Sequence, residues 1–196
     1  MYHLIGLLIF SLLFISLFYK NIEKNNLLLF IVFSFLFILA SVRYNIGTDY
    51  IYYSVFFQSV KPLTFHPNYT FPSEYMEPLF MHIVALFKYI ISNPIFYFSF
   101  WSFITLLFFW LGIKKESSNY ILSVFILYCI FYHHYLFNTI RQGVVMGIFI
   151  YSVRDILDRN FFKILFISIV SSFIHSSGLF ILLAYIISFV KVKSRL

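Results

Sequence analysis

Charge is what this sequence has least of. Asp, Glu, Lys and Arg supply 11% of its 196 residues, where a soluble domain carries roughly 25%. The chain therefore cannot dress a water-facing surface. Carboxylates are the scarcest, seven against fourteen Lys and Arg. One cysteine, Cys129, excludes a disulfide framework and any CxxC metal or redox site. The first apolar stretch, residues 4–19, lacks the basic start and the small-x-small cleavage site of a signal peptide. It reads as a transmembrane helix that is retained.

What is present is apolar and aromatic. Hydrophobic residues make up 62% of the chain and aromatic residues 24%, with 29 Phe and 16 Tyr; mean hydropathy is +0.91. That is too much for one soluble core, and lipid is the expected solvent. The net charge of +7 does not point to nucleic acid. The basic residues fall in short clusters between apolar runs, the distribution that membrane orientation and anionic headgroups produce. The lipid bilayer is the expected partner, and nucleic acid is not.

Apolar runs bounded by charge, Pro or Gly cover residues 4–19, 27–42, 78–91, 94–113, 120–137, 143–153 and 164–190. They predict an all-α fold, a polytopic membrane helical bundle of about seven hydrophobic segments, with residues 1–196 forming one integral membrane domain. Residues 44–77 hold Asp49, Lys61, Glu74, Glu77 and the prolines Pro62, Pro67 and Pro72. They are too polar to cross, and are expected to form an extracytoplasmic loop whose Tyr-rich part is interfacial. If every segment crossed, one side would hold Lys20, Lys24, Lys88, Arg141, Lys191, Lys193 and Arg195. The other would hold Arg43, Lys61, Lys114, Lys115, Arg154, Arg159 and Lys163. The positive-inside rule disfavours that even split. At least one of the segments 78–91, 143–153 and 164–190 is therefore expected to be re-entrant or broken, and such breaks are tolerated only where they line a cavity.

Three polar islands interrupt the apolar sequence. In Arg43-Tyr44-Asn45-Ile46-Gly47-Thr48-Asp49-Tyr50, an arginine directly after an apolar helix is followed by a turning glycine and an aspartate. The plainer reading is a snorkelling Arg in an aromatic belt. In Asn138-Thr139-Ile140-Arg141-Gln142, a continuous helix would place Asn138 on one face with Arg141 and Gln142. An Arg at bilayer depth needs a partner or water, and guanidinium suits bidentate phosphate binding; a headgroup-level loop arginine is the alternative. The third island, His175-Ser176-Ser177-Gly178, breaks the last apolar run. Its His is either an interhelical hydrogen-bonder or an acid/base group. Glu77-Pro78 reads as a helix start, with the carboxylate at the positive dipole end and Pro in the first turn; facing the polar loop, Glu77 is also a candidate base. His133-His134 make a poor metal site without spaced carboxylates or cysteines. The sequon Asn68-Tyr69-Thr70 matters only in a secreted eukaryotic chain.

Together these islands resemble a known family. The first resembles the R-x-x-x-G-T-D-Y-type segment of the EpsG family, and Tyr75-Met76-Glu77-Pro78 its Y-x-E-P/G helix start. Asn138-Thr139-Ile140-Arg141-Gln142 resembles its N-x-x-R-Q element, and Phe173-Ile174-His175-Ser176-Ser177 its F-x-H-x-S element, all in the family order. The resemblance implies a multi-pass protein of the bacterial inner (plasma) membrane, akin to Wzy-like exopolysaccharide and O-antigen polymerases. It implies glycosyl transfer on the outer side, from an undecaprenyl-pyrophosphate-linked repeat unit in exopolysaccharide, capsule or O-antigen biosynthesis. Arg43, Arg141, Asn138 and Gln142 would then hold the pyrophosphate, and Asp49, Glu77 or His175 would act as acid or base. No cofactor and no metal is called for, since arginines can stabilise a leaving diphosphate. Polyprenyl-pyrophosphate-linked oligosaccharide is the implied substrate, and other polysaccharide-assembly membrane proteins are implied partners. Family members usually run longer, so the chain is expected to be the N-terminal part of a longer family fold. The competing readings are a transporter or flippase subunit for a lipid-linked or anionic substrate, and an inactive truncated fragment.

Overall fold

The computed structural model describes residues 2–18, 23–63 and 76–190, and these are all-helical. Tyr75, Glu74, Lys20, the sequon at 68–70, Pro67, Pro72 and residues 191–196 lie outside the described residues. The helices are α1 (Tyr2–Phe18), α2 (Asn26–Ser41), α3 (Tyr50–Ser59), α4 (Pro78–Ile90), α5 (Pro94–Glu116), α6 (Tyr120–Ile126), α7 (His133–Phe137), α8 (Ile140–Leu157), α9 (Phe161–Ser172) and α10 (Leu179–Ile187). A π-helical turn, Leu127–Tyr132, joins α6 to α7 in one continuous helix. Asparagines set three of the starts. Asn25, Asn93 and Asn119 each accept a first-turn backbone N–H through the side chain, satisfying donors that a helix start otherwise orphans.

α5 and the α6–α7 helix are long and apolar enough to cross a membrane; the other apolar helices are shorter. Outward faces throughout are apolar, with Phe162 83% and Phe166 68% exposed on α9. A soluble monomer rarely shows contiguous patches of that kind. Composition and surface agree on a membrane protein, and a bundle of seven crossing segments goes beyond what the helices themselves establish.

Side-chain contacts fix the directions. α2 runs antiparallel to α5, with Phe37 on Phe103 near one end and Phe30 and Trp110 sharing a groove nearer the other. α1 runs antiparallel to α6, since Phe10 meets Phe125 and Gly6 meets Tyr128. α5 and α8 run parallel and very close. A Cβ on Gly112 would lie 2.8 Å from Ile150, and one on Gly147 would lie 3.0 Å from the Thr105 carbonyl. Small residues at such crossings let backbones approach, as they do between membrane helices.

One end of this bundle gathers Lys24, Lys114, Lys115, Arg154, Arg159 and Lys163. There the α1–α2 connection meets α6 (Tyr120 N–H to Glu23 O, 2.8 Å). Asp155 of α8, almost fully buried, ties Lys115 of α5 (3.3 Å) to Lys163 of α9 (2.7 Å). The opposite end gathers the polar islands.

Two of the suspected irregular segments are short or broken: α4 has 13 residues, and 164–190 is interrupted by a 3-10 turn at Ser176–Gly178. α4 touches a single turn of α5 at both of its ends, Phe80 on Trp101 and Phe87 on Phe100. A helix running alongside would have moved roughly 10 Å along its neighbour over those seven residues, so α4 crosses α5 steeply. α9 and α10 fold back on each other as a hairpin of short arms. Ser168 Oγ donates to Gly178 O (2.9 Å) near its tip, and Arg159 donates to Ser188 O (3.0 Å) near its base. The third candidate, 143–153, differs from expectation: it is the middle of α8, whose first turn takes in Arg141 and Gln142. The helix extends through these polar residues because Arg141 finds a carboxylate there. Residues 50–59 of the polar loop are helical too, with Tyr50 stacked on Phe98 (4.8 Å) and Phe57 on Tyr97 (4.6 Å) of α5.

Candidate functional site

The structure brings the polar islands to one junction. Asn138 caps the end of α7, with φ −115° and ψ −78°, and Thr139 (ψ 65°) turns the chain before α8. Asn138 and Arg141 therefore do not share a helix face, as a continuous helix would have required. They point to different partners. Asn138 Oδ1 accepts from the Thr48 N–H (2.7 Å) and the Thr48 hydroxyl (3.1 Å). Arg141 Nη1 donates to Glu77 Oε2.

Glu77 sits at the start of α4 with Pro78 in the first turn, as the dipeptide predicts, and its carboxylate does not cap its own helix. Its second oxygen instead accepts from the Ser176 N–H (3.0 Å) at the tip of the α9–α10 hairpin. The Phe173 carbonyl in turn accepts from both Leu79 N–H (3.0 Å) and Phe80 N–H (3.2 Å), so the hairpin tip supplies the cap that α4 lacks. The side chains of Glu77 and Arg141 are 21% and 17% exposed, which leaves this pair reachable from solvent.

Arg43 is 4% exposed. Snorkelling would keep its head in water, so burial rules that reading out. Its guanidinium lies 4.5 Å from the Phe98 ring centre and 5.4 Å from that of Phe137, a stacking that desolvated arginine favours. Arg141 similarly faces the Phe80 ring at 5.5 Å. Asp49 is half-buried at the start of α3, and its carboxylate shares the single Thr48 hydroxyl proton with Asn138 Oδ1 (3.2 Å and 3.1 Å). Tyr53 is within electrostatic reach of both Asp49 and Arg141.

His175 lies at the hairpin tip. Its Nδ1 accepts the Ser177 N–H (3.1 Å) and lies 2.8 Å from the Ser177 hydroxyl. A backbone N–H can only donate, so Nδ1 is unprotonated and the neutral ring carries its proton on Nε2. Burial lowers the His175 pKa below its ordinary value; Glu77 opposes this and Arg141 adds to it. Gln142, next to Arg141, faces away from the Glu77 pair into a cleft between α8 and α10.

A family model described as EpsG family matches residues 26–196. The chain belongs to the EpsG family. No curated protein and no solved structure matches the chain significantly. The four short segments that carry the resemblance, scattered over most of the sequence, thus form a connected chain of contacts. The first meets the third through Thr48 and Asn138, the third meets the second through Arg141 and Glu77, and the second meets the fourth through Glu77 and Ser176. In general terms the EpsG family supports a polysaccharide polymerase-like role.

Tyr53 and Phe137 adjoin the first and second islands, but the motifs left out the rest of the aromatic frame, Phe80, Tyr97 and Phe98. In a chain so rich in Phe and Tyr no pattern singles these three out. Tyr97 is fully buried, and its hydroxyl has no hydrogen-bond partner among the described residues. Desolvating a hydroxyl without a partner costs free energy. Tyr97→Phe is therefore expected to leave the melting temperature unchanged or to raise it. A fall of several degrees in a thermal-shift assay would contradict this account of Tyr97.

Proposed function

We propose that this EpsG-family chain polymerises lipid-linked oligosaccharide repeat units, as a multi-pass protein of the bacterial inner membrane with its junction on the outer face. The observation carrying this reading is the gathering of Arg43, Arg141, Glu77, Asp49 and His175 from four distant parts of the chain. Arg141 there pairs with a solvent-reachable carboxylate, and Arg43 is buried against Phe98 and Phe137. In the reaction, the acceptor sugar hydroxyl attacks the anomeric carbon of the donor. The bond from that carbon to the diphosphate oxygen breaks, and polyprenyl diphosphate leaves. Arg141 and Arg43 offset the charge developing on the diphosphate, and His175 offers Nε2–H as a further donor. Glu77 is held by Arg141 and Ser176, so the acceptor's proton falls to Asp49, whose described contact is one neighbouring hydroxyl.

The basic residues support the orientation. Among the described residues, Lys24, Lys114, Lys115, Arg154, Arg159 and Lys163 collect at the end away from the junction, against Arg43, Lys61, Lys88 and Arg141 at the junction end. Positive residues favour the cytoplasmic side, so the junction faces out.

The test is turnover by purified protein of a polyprenyl-pyrophosphate-linked repeat unit, with donor and acceptor on the same side. Longer glycan and released polyprenyl diphosphate are the expected products, and both should be lost in Arg43→Ala at wild-type protein levels. Movement of donor across a vesicle membrane without bond formation would favour a flippase subunit. Wild-type polymer from Arg43→Ala would remove Arg43 from the reaction.

A further inference from the structure

A cleft of about 420 Å³ opens between α8 and α10 directly below the junction. Its polar residues sit at one end. Gln142 follows Arg141 in the first turn of α8, and Ser177 is bonded to His175. From there Met146 and Phe149 of α8 and Phe180 and Ala184 of α10 continue the lining. From Gln142 to Phe149 the helix rises roughly 10 Å, and past the mouth the lining is almost wholly apolar. A polar mouth beside cationic and hydrogen-bonding groups, leading into an apolar slot along two helices, has the form of an amphiphile with an anionic head. The second apolar groove, between α2 and α5, is about 200 Å³ and has only Ser34 as a polar lining residue, midway along α2. It offers nothing to an anionic head, and ordinary bilayer lipid suffices to cover it.

We infer that the α8–α10 cleft holds the first isoprenoid units of a polyprenyl-diphosphate-linked substrate, its diphosphate lying at the Gln142–Ser177 mouth, where the chain neighbours Arg141 and His175 adjoin the lining. This rests on the polymerase reading for the identity of the head, but the tail site makes its own predictions. Ala184 is only partly exposed, and a larger side chain there would occupy the slot. Tail contacts are apolar, so their loss weakens binding by an amount that scales with the hydrocarbon displaced.

Two measurements test the inference. The first compares a long-chain polyprenyl diphosphate donor with one of the same head and a single isoprene unit. Ala184→Phe is expected to raise KM for the long-chain donor by about tenfold, the effect of displacing roughly two methylenes. It should leave KM for the short donor unchanged. Equal KM values for the long-chain donor in variant and wild type would overturn the tail site. The second needs no turnover: a polyprenyl diphosphate carrying a photoreactive diazirine on its tail is crosslinked to the full chain in nanodiscs. Adducts on α8 and α10, competed by unlabelled polyprenyl diphosphate and not by phosphatidylglycerol, are expected. Adducts elsewhere, or adducts that phosphatidylglycerol competes equally, would overturn the cleft as a specific site. Competed adducts without turnover of any donor would uphold the cleft and sink the polymerase reading instead.

Discussion

Arg141→Ala is expected to abolish long-chain polymer and also to weaken the fold, and a second variant separates the two effects. Removing one partner of a largely desolvated ion pair costs on the order of 3 kcal/mol, chiefly from the stranded charge. The stranded charge here is Glu77, which also holds the Ser176 N–H at the hairpin tip. Loss of polymer in the single variant could thus come from loosened packing of α4 against the α9–α10 hairpin. Glu77→Leu combined with Arg141→Met removes both charges and leaves no stranded charge, an exchange that is often neutral or stabilising, and the Ser176 N–H, which is exposed, turns to water. The double variant should recover the thermal stability lost by Arg141→Ala and still make no polymer on a gel. Recovery of polymer in the double variant would make the pair structural, and the arginine's role in binding diphosphate would fall.

Gly47→Ala is expected to destabilise the protein by upwards of about 3 kcal/mol, the sum of backbone strain and overpacking. Gly47 has φ +99°, a conformation that residues with a Cβ rarely adopt. An added Cβ would also collide with the Phe137 backbone carbonyl and come within 2.9 Å of Asn138 Oδ1. Backbone atoms cannot rotate out of the way as a side-chain tip can. The collision would push residues 47–49 off the end of α7 and break the Thr48–Asn138 bonds. Asp49, carried on the same turn, would move with them. A thermal shift of several degrees together with loss of polymer is the expected result, whereas Gly47→Ala with wild-type stability would show that this approach is looser than its geometry. Thr48→Val gives a graded comparison: it removes only the hydroxyl and keeps the N–H bond to Asn138, so a loss of about 1 kcal/mol is expected.

The junction explains why four short motifs so far apart in sequence belong together. Each supplies a contact the next one lacks. Glu77 spends its carboxylate on Arg141 and Ser176 rather than on its own helix, and the Phe173 carbonyl covers the N–H groups this leaves open. Fold and site are thus coupled through the same few hydrogen bonds. A variant in any one element needs a stability measurement beside its activity.

By itself the sequence determined the solvent and the parts. A chain with 11% charge and 62% hydrophobic residues has to place apolar faces against lipid or each other, and helices satisfy their backbone groups wherever water is absent. Helix starts at Asn25, Asn93 and Asn119 and at Glu77-Pro78 follow from local chemistry, which depends only on near neighbours. The candidate residues were legible for the same reason, since a lone Arg, Glu or His stands out against Phe and Leu. Only the tertiary structure decided who pairs with whom. Whether Asn138 and Arg141 share a face turned on a break at Thr139, and that break is stabilised by Thr48, ninety residues away. Whether Arg43 snorkels turned on Phe98 and Phe137, which no local pattern links to it. That α4 crosses α5 steeply and α9 folds back on α10 was likewise decided by packing. Segment length alone does not carry that information, because the direction of a short helix is set by what it packs against.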